Sequence, residues 1–222
     1  MIYMRTFESL EAFHLQAFSI LREALQVSLP HPHAVLLSGG NTPLPIYGAI
    51  AQHPFPIAQT LHIAYTDERH VNMESPDSNF GNSSPMLASL GIPAEHVMRV
   101  RTELPLEQAA GQYHNTLNMF LQSGGVLPLG LLGIGSDGHT CSIFADHDLH
   151  LDDTLLAAPV YRHATPHRIT VTPHLLKQVK RIIFLVTGNE KTEIVDRLLH
   201  APDTVIAGKA VAHCPHVELW RA

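Results

Sequence analysis

The chain has 222 residues, of which 45% are hydrophobic and 15% are charged. This length and composition suit one compact globular domain and exclude an intrinsically disordered chain. Lys and Arg number 14 against 20 Asp and Glu, giving a formal net charge of -6 without a basic cluster, so we expect no nucleic-acid partner.

The N-terminal part of the chain alternates between strand-like and helical patterns. Ile2 to Thr6 is strand-like, and apolar residues recur at helical spacing from Ser9 to about Leu29. The continuous apolar run from Ala34 to Leu37 is typical of a strand buried on both faces. After a glycine-containing loop, we predict a helix from Pro43 to about Gln52, capped by Thr42.

The alternation continues to the end of the chain. Further strands are predicted at Leu61 to Tyr65, Leu129 to Ile134, Arg168 to Thr172 and Arg181 to Val186. Further helices are predicted at Leu106 to Leu121, Pro173 to Val179 and Glu190 to Leu199. This order favours a single α/β domain over residues 1–222, with a mostly parallel sheet covered by helices on both faces. The sequence leaves undecided whether the stretch from Ala145 to Pro166 forms a small extra lobe.

Ligands of an open parallel sheet bind beyond the carboxyl ends of its strands, so the loops after the apolar runs are the candidate sites. The first such loop comprises Ser38, Gly39, Gly40, Asn41 and Thr42. Its glycines let backbone N–H groups approach an anion, and its hydroxyl groups add donors beside a helix N-terminus. The loop therefore suits a phosphate group, although a plain turn with a helix cap uses the same residue types.

The second loop, Thr66 to His70, places charged side chains directly after a predicted strand. Its Arg69 has a fork of donors that suits an oxyanion or a phosphate, and its Asp67 is a candidate catalytic carboxylate. Downstream, Asp77 to Asn79 is typical of a helix cap.

The third loop, Gly133 to Ser142, contains a GxGxxG pattern. A dinucleotide site also needs an acidic residue at the end of a following strand, whereas Asp152 and Asp153 lie in a polar stretch without one. We therefore expect no nicotinamide cofactor. The loop instead offers His139 as a general base, with Asp137 to fix its orientation.

Other residues are weaker candidates. Lys191, at the start of a predicted helix, is placed to reach an anion. The chain has 17 histidines, but none of its closely spaced histidine pairs has the cysteine or carboxylate partners of a zinc site, so we expect no metal. Cys141 and Cys214 form no CxxC pair, which favours a reducing, cytoplasmic location. We expect neither a signal peptide nor a membrane span. The expected assembly is a monomer or a small homo-oligomer.

Taken together, these loops resemble the 6-phosphogluconolactonases. The matching segments occur in the family's order: Ser38 to Pro43, Asp67 to Arg69, Asp77 to Asn79, Gly133 to Thr140, Arg168 to Thr172, and Gly188 with Lys191. The resemblance implies a Rossmann-like fold shared with glucosamine-6-phosphate deaminases and ribose-5-phosphate isomerases. It also implies hydrolysis of 6-phospho-D-glucono-1,5-lactone to 6-phospho-D-gluconate in the pentose phosphate pathway, with no cofactor.

The resemblance and the residue chemistry together imply a role for each site residue. His139 takes a proton from the attacking water, Asp137 orients its ring, and Arg69 stabilises the oxyanion. Asp67 is grouped with these catalytic residues. The loop from Ser38 to Thr42, Arg168 and Lys191 bind the 6-phosphate. The chain departs from the family where Asn41 replaces a common Ser and where Ile143 to Asp146 replaces Leu-Phe-Pro.

Two alternatives remain. Similar deaminases carry a tyrosine where Arg69 stands and a glutamate where Phe144 stands, so deamination of glucosamine 6-phosphate is disfavoured. A non-catalytic sugar-phosphate-binding domain of a transcription regulator needs a DNA-reading element, and the α/β pattern here starts at residue 2.

Overall fold

The structure is a computed structural model that describes residues 1–150, 154–163 and 166–222. Asp152 and Asp153, the acidic residues considered for a dinucleotide site, lie outside these ranges, as does part of the segment considered for an extra lobe. No helix of the described residues is long and apolar enough to cross a membrane.

The described residues form ten strands and eight α-helices. The strands are β1 (Ile2–Thr6), β2 (His33–Leu37), β3 (Leu61–Tyr65), β4 (Asp67–Arg69), β5 (Val97–Met98), β6 (Val126–Leu132), β7 (Ala157–Val160), β8 (Arg168–Val171), β9 (Ile182–Val186) and β10 (Val217–Arg221). The helices are α1 (Leu10–Gln26), α2 (Leu44–Gln52), α3 (Asn79–Ser89), α4 (Leu106–Gln122), α5 (Asp146–Leu149), α6 (Pro173–Leu176), α7 (Thr192–His200) and α8 (Ile206–Ala210).

Seven strands form a parallel sheet in the order β1-β10-β9-β6-β2-β3-β5. Successive side chains of a strand point to opposite faces, so Leu36 and Leu37 of β2 belong to different apolar clusters. One cluster contains side chains of α4, α6, α7 and α8, and the other contains side chains of α1, α2 and α3. The predicted α/β fold, a mostly parallel sheet with helices on both faces, is confirmed.

A second sheet contains three antiparallel strands in the order β4-β8-β7. The strand predicted at Arg168 to Thr172 lies here instead of in the parallel sheet, and its Arg168 pairs with Arg69 of β4. Ile169 and Val171 of β8 belong to the same apolar cluster as Tyr113 of α4. The described part of the segment considered for an extra lobe forms α5 and β7. Because β7 pairs with β8, it shares the core of the main sheet.

Several predicted element boundaries are corrected. Helix α1 ends at Gln26 rather than near Leu29, because Val27 is already extended with ψ of 123°. Thr42 does not cap α2: Pro43 takes the cap position, and the Thr42 hydroxyl lies 3.0 Å from that of Thr187. Helix α6 is also shorter than predicted.

Candidate active site

A cleft of about 220 Å³ opens at the carboxyl ends of the central strands, where the three predicted loops meet. It is lined by Ser38, Gly39, Gly40, Asn41, Thr42, Pro43, Thr66, Asp67, Arg69, Asn79, Leu132, Gly133, Ile134, Gly135, His139, Cys141, Leu185 and Lys191. Of the predicted site residues, Asp137 and Arg168 are outside this lining. A ligand in the cleft would therefore contact the glycine loop, Arg69 and His139 together.

A larger cavity of about 790 Å³ lies between α5, α6, α8 and the amino ends of β1 and β10. None of the predicted site residues lines it. Ligands of a parallel sheet bind at the carboxyl ends of its strands, so the smaller cleft, which holds the convergent polar groups, is the better candidate.

The central feature of the cleft is the hydrogen-bonded pair of His139 and Asp137. His139 Nδ1 lies 2.5 Å from Asp137 Oδ1, and the imidazole side chain is 30% exposed. Partial burial acts to raise the pKa of Asp137, but the hydrogen bonds from His139 outweigh it and hold that pKa below its usual range. The Asp137 carboxylate accepts a hydrogen bond from Nδ1–H, so Nε2 is the ring nitrogen left for a ligand.

The backbone of the third loop holds this pair in place. Gly135 N donates to the carbonyl of His139 at 2.9 Å, and Thr140 Oγ1 donates to the carbonyl of Gly133 at 2.8 Å. A Cβ on Gly135 would lie 2.2 Å from His139 Nδ1 and 2.4 Å from Asp137 Oδ1, so only glycine fits there. Gly135 thus makes room for the side chains of His139 and Asp137.

Asp67 connects the second and third loops. Its Oδ2 accepts a 2.6 Å hydrogen bond from Ser142 Oγ, and its Oδ1 accepts from Thr66 Oγ1 at 3.2 Å and from Asn79 Nδ2 at 3.3 Å. Both carboxylate oxygens therefore already have protein donors. This geometry favours a positioning role for Asp67, and its catalytic role stays a prediction.

Arg69 is anchored at the edge of the cleft. Its Nη1 donates to the carbonyl of Asp77 at 2.7 Å, while its buried Nε has no hydrogen-bond partner among the described residues. The neighbouring Glu68 faces α3 instead, accepting from the backbone N–H groups of Asn79 at 2.7 Å and Phe80 at 2.8 Å. Burial raises the pKa of Glu68 despite these donors.

The first loop makes a tight turn along one side of the cleft. Gly40 has φ of +93°, a conformation that favours glycine, and the buried Ser38 accepts a hydrogen bond from Tyr47 at its carbonyl. Ser38 Oγ is itself buried and has no partner among the described residues. Lys191 lies in a 3₁₀ turn after β9 and lines the same cleft.

Arg168 lies beside the cleft rather than in its lining. Its Nη1 donates to the carbonyls of Pro166 and His167. Burial, together with the charge of the neighbouring Arg69, lowers the pKa of Arg168. Its predicted contact with a phosphate group stays a prediction.

The sequence did not predict the places of Asn79, Cys141 and Arg162 in or beside the cleft. Asn79 was interpreted as part of a helix cap and of a segment shared with the family, and Cys141 was considered as a cysteine without a CxxC partner. Cys141 lines the cleft with φ of 53°, unusual for a residue with a side chain. The stacking of Arg162 on the Phe144 ring joins two separate segments, which no local pattern signals.

Comparisons with known proteins identify the family of this chain. A profile of the family described as glucosamine-6-phosphate isomerases/6-phosphogluconolactonase matches residues 10–218. The 6-phosphogluconolactonase of Aggregatibacter actinomycetemcomitans is 36% identical over 180 residues, covering 78% of this chain and 76% of that protein. The crystal structure of 6-phosphogluconolactonase from Thermotoga maritima has a TM-score of 0.80 at 26% identity, covering 100% of this chain and 99% of the other.

A more distant neighbour has the same fold. A monomeric glucosamine-6-phosphate deaminase has a TM-score of 0.78 at 17% identity, covering 99% of this chain and 97% of its own. At this identity the likeness concerns the fold alone. The profile match over most of the chain and the relative at 36% identity show the family as well as the fold. The chain therefore belongs to the family of glucosamine-6-phosphate isomerases and 6-phosphogluconolactonases.

Proposed function

We propose that this protein hydrolyses 6-phospho-D-glucono-1,5-lactone to 6-phospho-D-gluconate, a step of the oxidative pentose phosphate pathway. The observation that carries the proposal is the His139–Asp137 pair, with its imidazole in a cleft whose other side is the glycine loop from Ser38 to Thr42. A base and an anion-binding turn in one cleft suit an ester that carries a phosphate. The relatives named 6-phosphogluconolactonase support the same substrate.

The reaction needs one base and one oxyanion donor. His139 Nε2 takes a proton from water as the water oxygen bonds to the lactone carbonyl carbon. Arg69 stabilises the negative charge that develops on the carbonyl oxygen. When the tetrahedral intermediate collapses, the bond from that carbon to the ring oxygen breaks, and the imidazolium returns its proton to the ring oxygen. Asp137 stays ionised throughout, because it stabilises the imidazolium without taking its proton.

Substrate binding is assigned to the other side of the cleft. The backbone N–H groups of Gly39 and Gly40, the hydroxyls of Ser38 and Thr42, and the amide of Asn41 surround the 6-phosphate. Lys191 adds a positive charge from the opposite loop, and Arg168 adds one from the second sheet. We therefore expect Lys191→Ala and Arg168→Ala to raise KM with little change in kcat.

The base assignment is tested with His139→Ala. Acid release from freshly generated lactone, measured above its spontaneous hydrolysis, should show kcat lowered by roughly 10²- to 10⁴-fold. His200→Ala is the matched control, because His200 also pairs with an aspartate, at 3.1 Å from Asp196, on an exposed helix end. It should keep the kcat of the unmodified protein. Undiminished turnover by His139→Ala would refute the assignment.

The deaminase alternative is disfavoured by Phe144. Its ring centroid lies 4.6 Å from that of His139, so a glutamate at this position would contact the base. An apolar ring there supplies no second acid for proton transfer to a sugar ring. We expect no ammonia release from glucosamine 6-phosphate. A measured release would favour the deaminase over the lactonase. A purely binding domain, in turn, requires tight binding of 6-phosphogluconate with no lactone hydrolysis.

We also propose a cytoplasmic location, which is supported by two cysteines that are both free in the structure. The partner is the small sugar-phosphate substrate, and the expected assembly is a monomer or a small homo-oligomer. Cell fractionation and light scattering on the purified protein test these two expectations.

A further inference from the structure

The aromatic ring of Phe144 connects the third loop to a surface arginine. The Phe144 and His139 rings meet at 4.6 Å between centroids with an interplanar angle of 38°. The guanidinium carbon of Arg162 lies 3.7 Å from the centroid of the same Phe144 ring. These two contacts place the guanidinium no more than about 8 Å from the imidazole.

Arg162 reaches this position from the connection between β7 and β8. Its backbone N–H donates to His167 Nδ1 at 3.1 Å, and the carbonyl of His167 accepts from His70 N at 2.9 Å. The connection is therefore tied to the residue that follows β4. Strand β4 also carries Arg69, the proposed oxyanion donor. The same strand therefore positions both the Arg162 connection and one side of the cleft.

We propose that Phe144 is a positioning residue for His139, and that the Arg162 cation, held on the same ring, disfavours protonation of the imidazole. This inference rests on the proposed function, since it takes His139 as the base. The Phe144 ring limits rotation of the imidazole away from Asp137. A cation at this distance repels an imidazolium, and Arg162→Gln removes that repulsion.

Other groups also act on the imidazole, and the test must separate them from Arg162. Among the described residues, these groups include Asp137, which bonds to the imidazole, Asp67, Arg69, Cys141 and Lys191, which line the same cleft, and Arg168, which pairs with Arg69 beside it. None of these is altered when residue 144 or 162 is replaced. A change in the pH profile of a variant at residue 144 or 162 therefore comes from the loss of the stacked contacts.

The positioning role is tested with Phe144→Leu and Phe144→Tyr. We expect Phe144→Leu to lower kcat by roughly 10- to 100-fold, because a small misplacement of a catalytic group is costly, with KM within about twofold. Phe144→Tyr keeps the ring and should retain kcat. If Phe144→Leu raises KM and leaves kcat unchanged, the residue contacts the substrate and the positioning role is wrong.

The electrostatic role is tested with Arg162→Gln and Arg162→Lys. Arg162→Gln should move the acid limb of the kcat/KM profile to higher pH by about 0.5 unit, and Arg162→Lys should keep the limb in place. Arg22→Gln is the matched control, because Arg22 stacks on Phe55 at 5.2 Å and lies outside the cleft lining. An unmoved acid limb in Arg162→Gln would overturn this role.

A titration of the His139 imidazole by NMR separates this inference from the proposed function. The His139 signal is identified by its loss in His139→Ala. Arg162→Gln should shift this titration to higher pH, whether or not the protein turns over the lactone. Absence of lactonase activity in the unmodified protein would therefore count against the proposed function. An unchanged His139 titration in Arg162→Gln would count against the role of Arg162.

Discussion

At the scale of single residues, the hydrogen bond between Asp137 and His139 was predictable because it is local, and the catalytic role of the pair stays a prediction. Asp137 and His139 are two positions apart on a glycine-containing turn, so their hydrogen bond depends on one short stretch of chain. Asn79 and Arg162 reach the site only through tertiary contacts with β4 and Phe144. No spacing in the sequence signals such contacts, and these residues were missed.

Gly135 gives a test of this local geometry. The Cβ of Gly135→Ala would overlap the His139 ring and Asp137, so the pair must separate. We expect kcat to fall by at least about 10-fold while the protein remains folded, as measured by lactone hydrolysis and circular dichroism. Gly111→Ala on α4, where a Cβ meets nothing within 4 Å, is the matched control and should keep full activity. Equal activity of the two variants would contradict this account of Gly135.

At the scale of elements, long apolar runs were predicted correctly and short or charged strands were not. The residues of β2, β3 and β9 are nearly all buried, which gives continuous apolar patterns. Strand β4 has only three residues, all charged, and exists because it pairs with β8. Its sequence was therefore interpreted as a loop. The second sheet follows from pairing between distant segments, which periodicity cannot signal.

Glu68 shows how β4 fixes the helix that follows. The Glu68 carboxylate accepts hydrogen bonds from two N–H groups at the start of α3, and its side chain is buried. In Glu68→Gln an amide N–H₂ would face these donors. We expect the free energy of unfolding, measured in urea, to fall by about 2 kcal/mol. Glu107→Gln is the matched control, because Glu107 is exposed in the first turn of α4, and a change beyond about 1 kcal/mol there would contradict the explanation.

At the scale of the whole molecule, stability should depend on the buried His33 and the half-buried His62 at the amino ends of β2 and β3. Burial lowers the pKa of His33 and His62 below 6.5. His62 also stacks on His96 at 4.3 Å. The unfolded chain binds protons at these histidines below about pH 6.5, before the folded protein does, so the free energy of unfolding decreases as the pH falls through this range. Above that pH it should be constant with respect to these groups.

Urea unfolding between pH 8 and pH 5 measures this dependence. We expect His62→Phe to reduce the slope below pH 6.5, because one titrating group is removed. The exposed His31→Gln should leave the slope unchanged. Glu68 acts in the opposite direction at lower pH, because its raised pKa makes the folded state bind a proton first. A slope that His62→Phe does not alter would show that other groups cause the acid sensitivity.

The two free cysteines have a practical consequence for handling the protein. Burial raises the pKa of Cys214 to about 12 and raises that of Cys141 well above its usual value. Alkylating reagents attack the thiolate, so both sulfurs should react more slowly in the folded protein than in the unfolded chain. Comparing the rates of iodoacetamide labelling in buffer and in urea measures this protection.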